Sequence, residues 1–176
     1  MSEIRPRVRS LDLRSYGCAR DFFEAVFDAS RERADILRTI GAMEGREGVR
    51  AQGYEAQGRS GSTSDRMSAT DERMDYEGSH AALLEEDEAM IRLAESIIWG
   101  GSGGDMTGGV AHLMGYAVAR AMEMRYVHTL PLSLVARRMG YSPKSKGVVA
   151  ELCRTGLECV DSHRLMSVVE GRGEAT

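Results

Sequence analysis

The sequence predicts an all-α protein, with an N-terminal antiparallel helical hairpin or coiled coil followed by a C-terminal helix-turn-helix. Three observations carry this. Apolar residues recur at three- and four-residue steps along most of the chain, the spacing of one helix face. Phe, Val and Ile are too scattered to read as strands, and aromatics are only 6% of the residues, which argues against a large β-sandwich. The hydrophobic set makes up 42% of 176 residues, enough for a core and too much for wholesale disorder.

Residues 1–17 read as a tail that carries charge without a following apolar stretch, so it is not a secretory signal. Residues 18–99 read as a helical arm. Its first helix is expected from Cys18 to Met43, with Phe22, Phe23, Val26, Ala29, Ile36, Leu37, Ile40 and Met43 on one face. Gly41, Gly45 and Gly48 are expected to end it, and residues 45–64, rich in Gly, Ser and Gln, read as a polar loop. The second helix starts at Ser64 or Asp65 as N-cap and runs to Trp99. Met67, Met74, Ala81, Leu84, Ile91, Ala94 and Ile98 trace its near-heptad seam, interrupted by Gly78. Residues 65–99 hold ten Asp/Glu against three Arg, a net charge of −7. Neither helix can bury its stripe alone, so a hairpin or a coiled-coil oligomer is expected.

Residues 100–109 contain six glycines and read as a flexible linker. No Gly-Lys-Ser/Thr follows and no strand precedes, which argues against a phosphate-binding loop. The linker separates the acidic arm from a module over residues 110–165, with 166–176 as a C-terminal tail. Within the module, Val110, Leu113, Met114, Ala117, Val118, Ala121 and Met122 form a helical stripe that continues into Arg125-Tyr126-Val127. His128-Thr129-Leu130-Pro131 breaks it, and a short helix spans Leu132–Met139. Gly140-Tyr141 makes a tight turn. Ser142 then caps a last helix with Pro143 at its first position. That helix is expected to bury Val149, Leu152, Cys153, Gly156 and Val160, with Leu157 at the margin.

Helix, short helix, Gly turn and capped helix is the layout of a helix-turn-helix, whose second helix enters the DNA major groove. Its start and the preceding turn face the DNA, and those places hold Ser142, Lys144, Ser145 and Lys146. Arg137 and Arg138 on the preceding helix, and Arg154 further along the last one, extend the expected contact track. Residues 125–164 carry seven Lys/Arg against three Asp/Glu, net +4, although the whole chain is at −4. Of 23 basic residues only two are lysines, and both are here. Two cations at a helix start oppose the helix dipole, and a phosphate would relieve that cost.

Residues 121–127 (AMEMRYV) and 132–142 (LSLVARRMGYS) resemble the region-four helix-turn-helix of sigma factors. The order of segments, including Ser64-Asp65-Arg66-Met67 at a helix start, is similar to small phage and prophage regulators of the ArpU/RinA type over roughly residues 19–160. That resemblance implies DNA binding and control of late or structural phage genes, without catalytic chemistry. Leu134 stands where the family usually has an acidic residue. Lys146 stands where it usually has an apolar one, with Gly147 next, which predicts a late or distorted start of the last helix.

Other chemistry finds little support. Cys159 and His163 are four apart, but Cys153 lies off their face and no close ligand pair accompanies them, so no metal is expected and the thiols read as buried and structural. No His has an Asp, Ser or Cys partner at a catalytic spacing, so neither an enzyme nor a cofactor is expected. No apolar run approaches the ~18 residues of a membrane helix. The expected setting is a reducing cytoplasm, and the expected partners are double-stranded DNA, RNA polymerase and a second copy through the arm. Two other functions fit the same sequence: a small terminase-like subunit for DNA packaging, and a helical interaction protein that binds no DNA.

Overall fold

The computed structural model describes residues 10–55, 63–101 and 108–167, with side chains described over 10–46, 70–101 and 108–167. Among these the fold is all-α, with no strand. A 3₁₀ turn at Leu13–Ser15 precedes α1 (Ala19–Glu55) and α2 (Thr63–Trp99). Then come α3 (Val110–Met114), α4 (Tyr116–Met122) with a π-helical turn at Glu123–Val127, α5 (Leu132–Arg138), a 3₁₀ turn at Pro143–Ser145, and α6 (Lys146–Ser162). No described helix is long and apolar enough to cross a membrane.

The long helices extend further than expected. Gly41 and Gly45 lie inside α1, which continues to Glu55, and α2 begins at Thr63, so most of the expected 45–64 loop is helical. Residues 56–62 lie outside the described residues. A helix-interior glycine costs about 1 kcal/mol relative to alanine but forbids nothing, and neither of these takes a positive φ. The stripe over 110–127 departs in the other direction. It is interrupted at Gly115, whose φ of 87° is outside the helical region and separates α3 from α4.

The chain forms two compact units, residues 1–31 with 87–176, and residues 32–86. These boundaries differ from a division at the glycine-rich segment. In the first unit one apolar cluster contains Phe22, Phe23, Val26 and Ala29 of α1, Met90, Ala94, Ile97 and Ile98 of α2, and Val110, Val118, Met122, Leu157 and Val160. Leu13, within the expected N-terminal tail, is buried in the same cluster. The two ends of the glycine-rich segment meet: a Cβ on Gly109 would lie 2.3 Å from the Gly100 backbone nitrogen. Residues 102–107, the middle of the expected flexible linker, lie outside the described residues. Gly100 and Gly109 are pinned against each other, so the arm's ends and the C-terminal helices share one core.

In residues 32–86 the expected apolar seam holds in part: Ile36 is buried and Ile40, Met43 and Leu84 are half-buried. Met74 is 60% exposed and Leu37 is 43% exposed, and Ala81 is also exposed. Met67 lies among the side chains outside the description. One shielded row of α2 runs 70, 73, 77, 80, 84, 87, 91, 94 and 98, in steps of three and four; it keeps the expected Leu84, Ile91, Ala94 and Ile98 and departs from the expected seam before them. Arg73, Glu77, His80 and Asp87 occupy the face that an apolar-only pattern skips. Arg73 is 2.6 Å from Glu77 and 4.0 Å from Glu44 of α1. Tyr76 stacks on His80 with ring centroids 4.1 Å apart.

Two long-range contacts tie α6 into the first unit. The backbone N–H of Ala19 donates to Asp161 Oδ1 at 2.7 Å, so the first turn of α1 is capped by a carboxylate from the end of α6. Inside, a Cβ on Gly156 would lie 2.2 Å from Met122 Sδ and 3.0 Å from Val118 Cγ1. Asp161→Ala is therefore expected to cost about 1 kcal/mol, the usual worth of a helix cap, in urea denaturation. Gly156→Ala is expected to destabilise by about 1 kcal/mol or more, because fully buried Met122 must move in a filled core. Gly147→Ala in the same helix, where a Cβ meets nothing within 4 Å, is expected to stabilise by up to about 1 kcal/mol.

Candidate nucleic-acid interface

α5 is held by a second cluster in which Val135 and Ala136 pack with Ala121, Met124, Val149 and Cys153. Its end is fixed by hydrogen bonds. Gly140, at φ 81°, donates to Arg137 O (3.1 Å), while Tyr141 donates to Ala136 O (2.8 Å). This is a Schellman termination, for which a residue without Cβ at the left-handed position is best suited. The chain then turns directly into the start of the next helix. Ser142 Oγ accepts from Lys144 N–H at 3.3 Å, with Pro143 at the first position. The expected cap is present. The turn it caps is 3₁₀, and the α-helix begins only at Lys146, consistent with the late start expected from Lys146 and Gly147.

Arg137, Arg138, Ser142, Lys144 and Lys146 are all exposed, and Ser145 is half-buried. Among the described residues no ion pair engages Arg137, Arg138, Lys144 or Lys146. The two arginines sit in the last turn of α5, where the helix dipole favours a cation. The two lysines sit at the opposite kind of end, where it does not. A pair of unpaired cations at a helix start, beside two more at the end of the preceding helix, presents a cationic surface suited to an anion.

Arg154 differs. Its Nε donates to Glu151 Oε2 at 3.0 Å, its Nη2 donates to Glu151 Oε1, and its Nη1 donates to Glu158 Oε1. The guanidinium holds the Glu151 carboxyl below the usual range. Glu151 and Glu158 are not among the residues expected at the site, although their spacing of three and four from Arg154 on a helix marks them. On α6 the buried side chains include Val149, Cys153, Leu157, Cys159 and Val160, with Gly156 among them. Leu157 is buried and Leu152 half-buried, an exchange of the roles expected for them.

All three cysteines are free thiols; Cys153 and Cys159 are buried and Cys18 half-buried. The chain matches no family model, no curated protein and no solved structure in comparisons with each.

Burial pushes the Cys153 thiol, which lies on α6 in the cluster with Val135 and Ala136 of α5, from about 9 up to about 11, partly opposed by Arg125. Burial also pushes the Tyr126 phenol up to about 12, with the neighbouring Cys153 adding to the shift. The folded state thus favours both neutral forms. Their stabilisation is complete below the ordinary values near 9 and 10 and is lost as pH rises through about 11 and 12. Stability in urea denaturation is expected to fall between about pH 9 and 12, by at most about 1.4 kcal/mol per pH unit for each group. Cys153→Ala should flatten the lower part of that decline, and native Cys153 should react with a thiol reagent at about pH 8 far more slowly than the unfolded chain.

Proposed function

We propose that this chain is a DNA-binding transcriptional regulator of phage or prophage late genes, acting in the cytoplasm by binding rather than by catalysis. In this reading α5 and α6 are the paired helices of a sigma-like helix-turn-helix. The start of α6 enters the major groove, and Arg137, Arg138, Lys144 and Lys146 neutralise phosphates. Ser142 and Ser145 lie along the same path. The long helices α1 and α2 form the arm through which a second copy or RNA polymerase is engaged.

The observation that carries the reading is the pair of exposed lysines, without an ion-pair partner among the described residues, at a helix start whose dipole opposes their charge. They are the chain's only lysines, separated by a single residue and set beside a sharply terminated helix. The Schellman turn before them, the capped 3₁₀ turn that contains Lys144 and the start of α6 at Lys146 fix the backbone that carries them. The net −7 of residues 65–99 makes the arm a poor surface for a polyanion and favours the C-terminal end for that contact. The regulatory role, as distinct from DNA binding, rests on the resemblance to sigma region four and to the phage regulators.

The test is a mobility-shift titration on duplex DNA over a range of salt. Wild-type affinity is expected to fall steeply with salt. Lys144→Ala with Lys146→Ala should weaken binding and reduce the slope by about 0.9 for each phosphate that is no longer neutralised, with helicity unchanged. Binding that is unaltered in the double variant would remove the site from the start of α6.

A further inference from the structure

The outward face of α6 beyond its first turn is occupied by a feature that phosphate binding does not explain. Positions 147, 151, 154 and 158 lie opposite the buried row 149, 153, 156 and 160 at the helical repeat of 3.6 residues. They hold Gly147, Glu151, Arg154 and Glu158. The triad is exposed, with side chains 49–60% accessible, so its ion pairs add little to the fold. At net −1 it repels phosphate, unlike Arg137, Arg138, Lys144 and Lys146, which no ion pair engages among the described residues. The guanidinium is nevertheless oriented: a two-point contact with Glu151 on one side and a third with Glu158 leave it few conformations.

Donor counting shows what this orientation leaves available. A guanidinium carries five N–H, and three are given to the carboxylates. One N–H on each terminal nitrogen remains, the number a two-point contact requires. Glu151, ionised and acceptor-only, keeps lone pairs beside them. Two turns before Arg154, Gly147 carries no side chain, and a Cβ there would meet no described atom within 4 Å.

We propose that the Glu151–Arg154–Glu158 triad is the base-reading element of the DNA-binding surface: Arg154 donates to the O6 and N7 edge of a guanine, and Glu151 accepts from the amino group of a cytosine, in the major groove. This rests on the DNA-binding reading above and adds a division of labour to it. Arg137, Arg138, Lys144 and Lys146 position the duplex through its phosphates, and the triad specifies sequence. Arg–guanine and Glu–cytosine are the pairings that major-groove geometry favours for these side chains. A carboxylate on each side of Arg154 also keeps phosphates from capturing it.

The experiment selects bound duplexes from a random pool with the wild-type full chain, then compares the enriched site and a mixed-sequence competitor across salt. Arg154→Ala is expected to weaken binding to the enriched site about tenfold or more beyond any loss on the competitor, which the two carboxylates left unpaired repel more strongly, with the salt slope as in wild type. Arg154→Lys, which keeps the charge without the fork, should not restore selectivity. Glu151→Gln should change the preference at one base pair and raise affinity for the competitor. If Arg154→Ala instead lowers competitor affinity and salt slope together, Arg154 is a phosphate contact and the inference is overturned. If wild type and Arg154→Ala enrich the same site with equal affinity, the inference is also overturned while DNA binding stands. A wild-type chain that retains no duplex at low salt overturns both readings.

Discussion

The close approach of α6 to α4 at Gly156 is the contact on which the rest of the first unit depends. With no side chain at 156, the helix settles against Met122 and Val118 at a distance that a methyl group would prevent. From there its inner face serves two clusters. Toward the start, Val149 and Cys153 pack with α5. Toward the end, Leu157 and Val160 join Phe22, Phe23 and Ile98, and Asp161 caps α1. The exposed start of α6 is therefore positioned by a helix anchored along its whole length and not by its local turn alone.

That anchoring bears on the electrostatics of the start. Two lysines at a helix N-terminus each oppose the dipole by a few tenths of a kcal/mol to about 1 kcal/mol. An isolated helix with such a start would fray, since helix formation is cooperative and short helices are marginal in water. Here the buried row from Val149 to Val160 supplies the stability, and the Ser142 cap satisfies one of the first N–H groups. The unfavourable charges are held in place by packing elsewhere. In the proposed function this is what makes the site responsive, because neutralisation by phosphate adds a stabilisation that the free protein lacks.

The sequence is most legible where local rules act alone. The Gly140 turn, the Ser142 cap with Pro143, the inner row of α6 and the end of α2 at Trp99 follow from turn chemistry and periodicity. Two features escape local rules for separate physical reasons, and a third lies within their reach. Gly41 and Gly45 do not stop α1, because a glycine weakens a helix without ending it unless the backbone turns left-handed, as it does at Gly115. The seam of α2 holds from Leu84 to Ile98 and is displaced before it, because Arg73 and His80 occupy shielded positions and a search for apolar residues moves to Met74 and Ala81 beside them. The triad on α6 stays hidden while Arg154 is taken as a lone cation; the carboxylates at 151 and 158 show in the spacing once pairs are sought.

The Asp161 cap and the Gly109–Gly100 contact lie beyond local reasoning, since each depends on a backbone path that only the tertiary fold sets. They also change what counts as the C-terminal module. A glycine-rich stretch invites a division at residues 100–109, with the binding helices as a free-standing piece after it. The apolar cluster crosses that division: Val118, Leu157 and Val160 are buried together with side chains from residues 19–29 and 90–98. Cutting at the glycines would open that cluster and remove the partner of Asp161. The element that holds α6 in place is thus built from both sides of the sequence: Asp161, near the end of that helix, meets Ala19, 142 positions earlier.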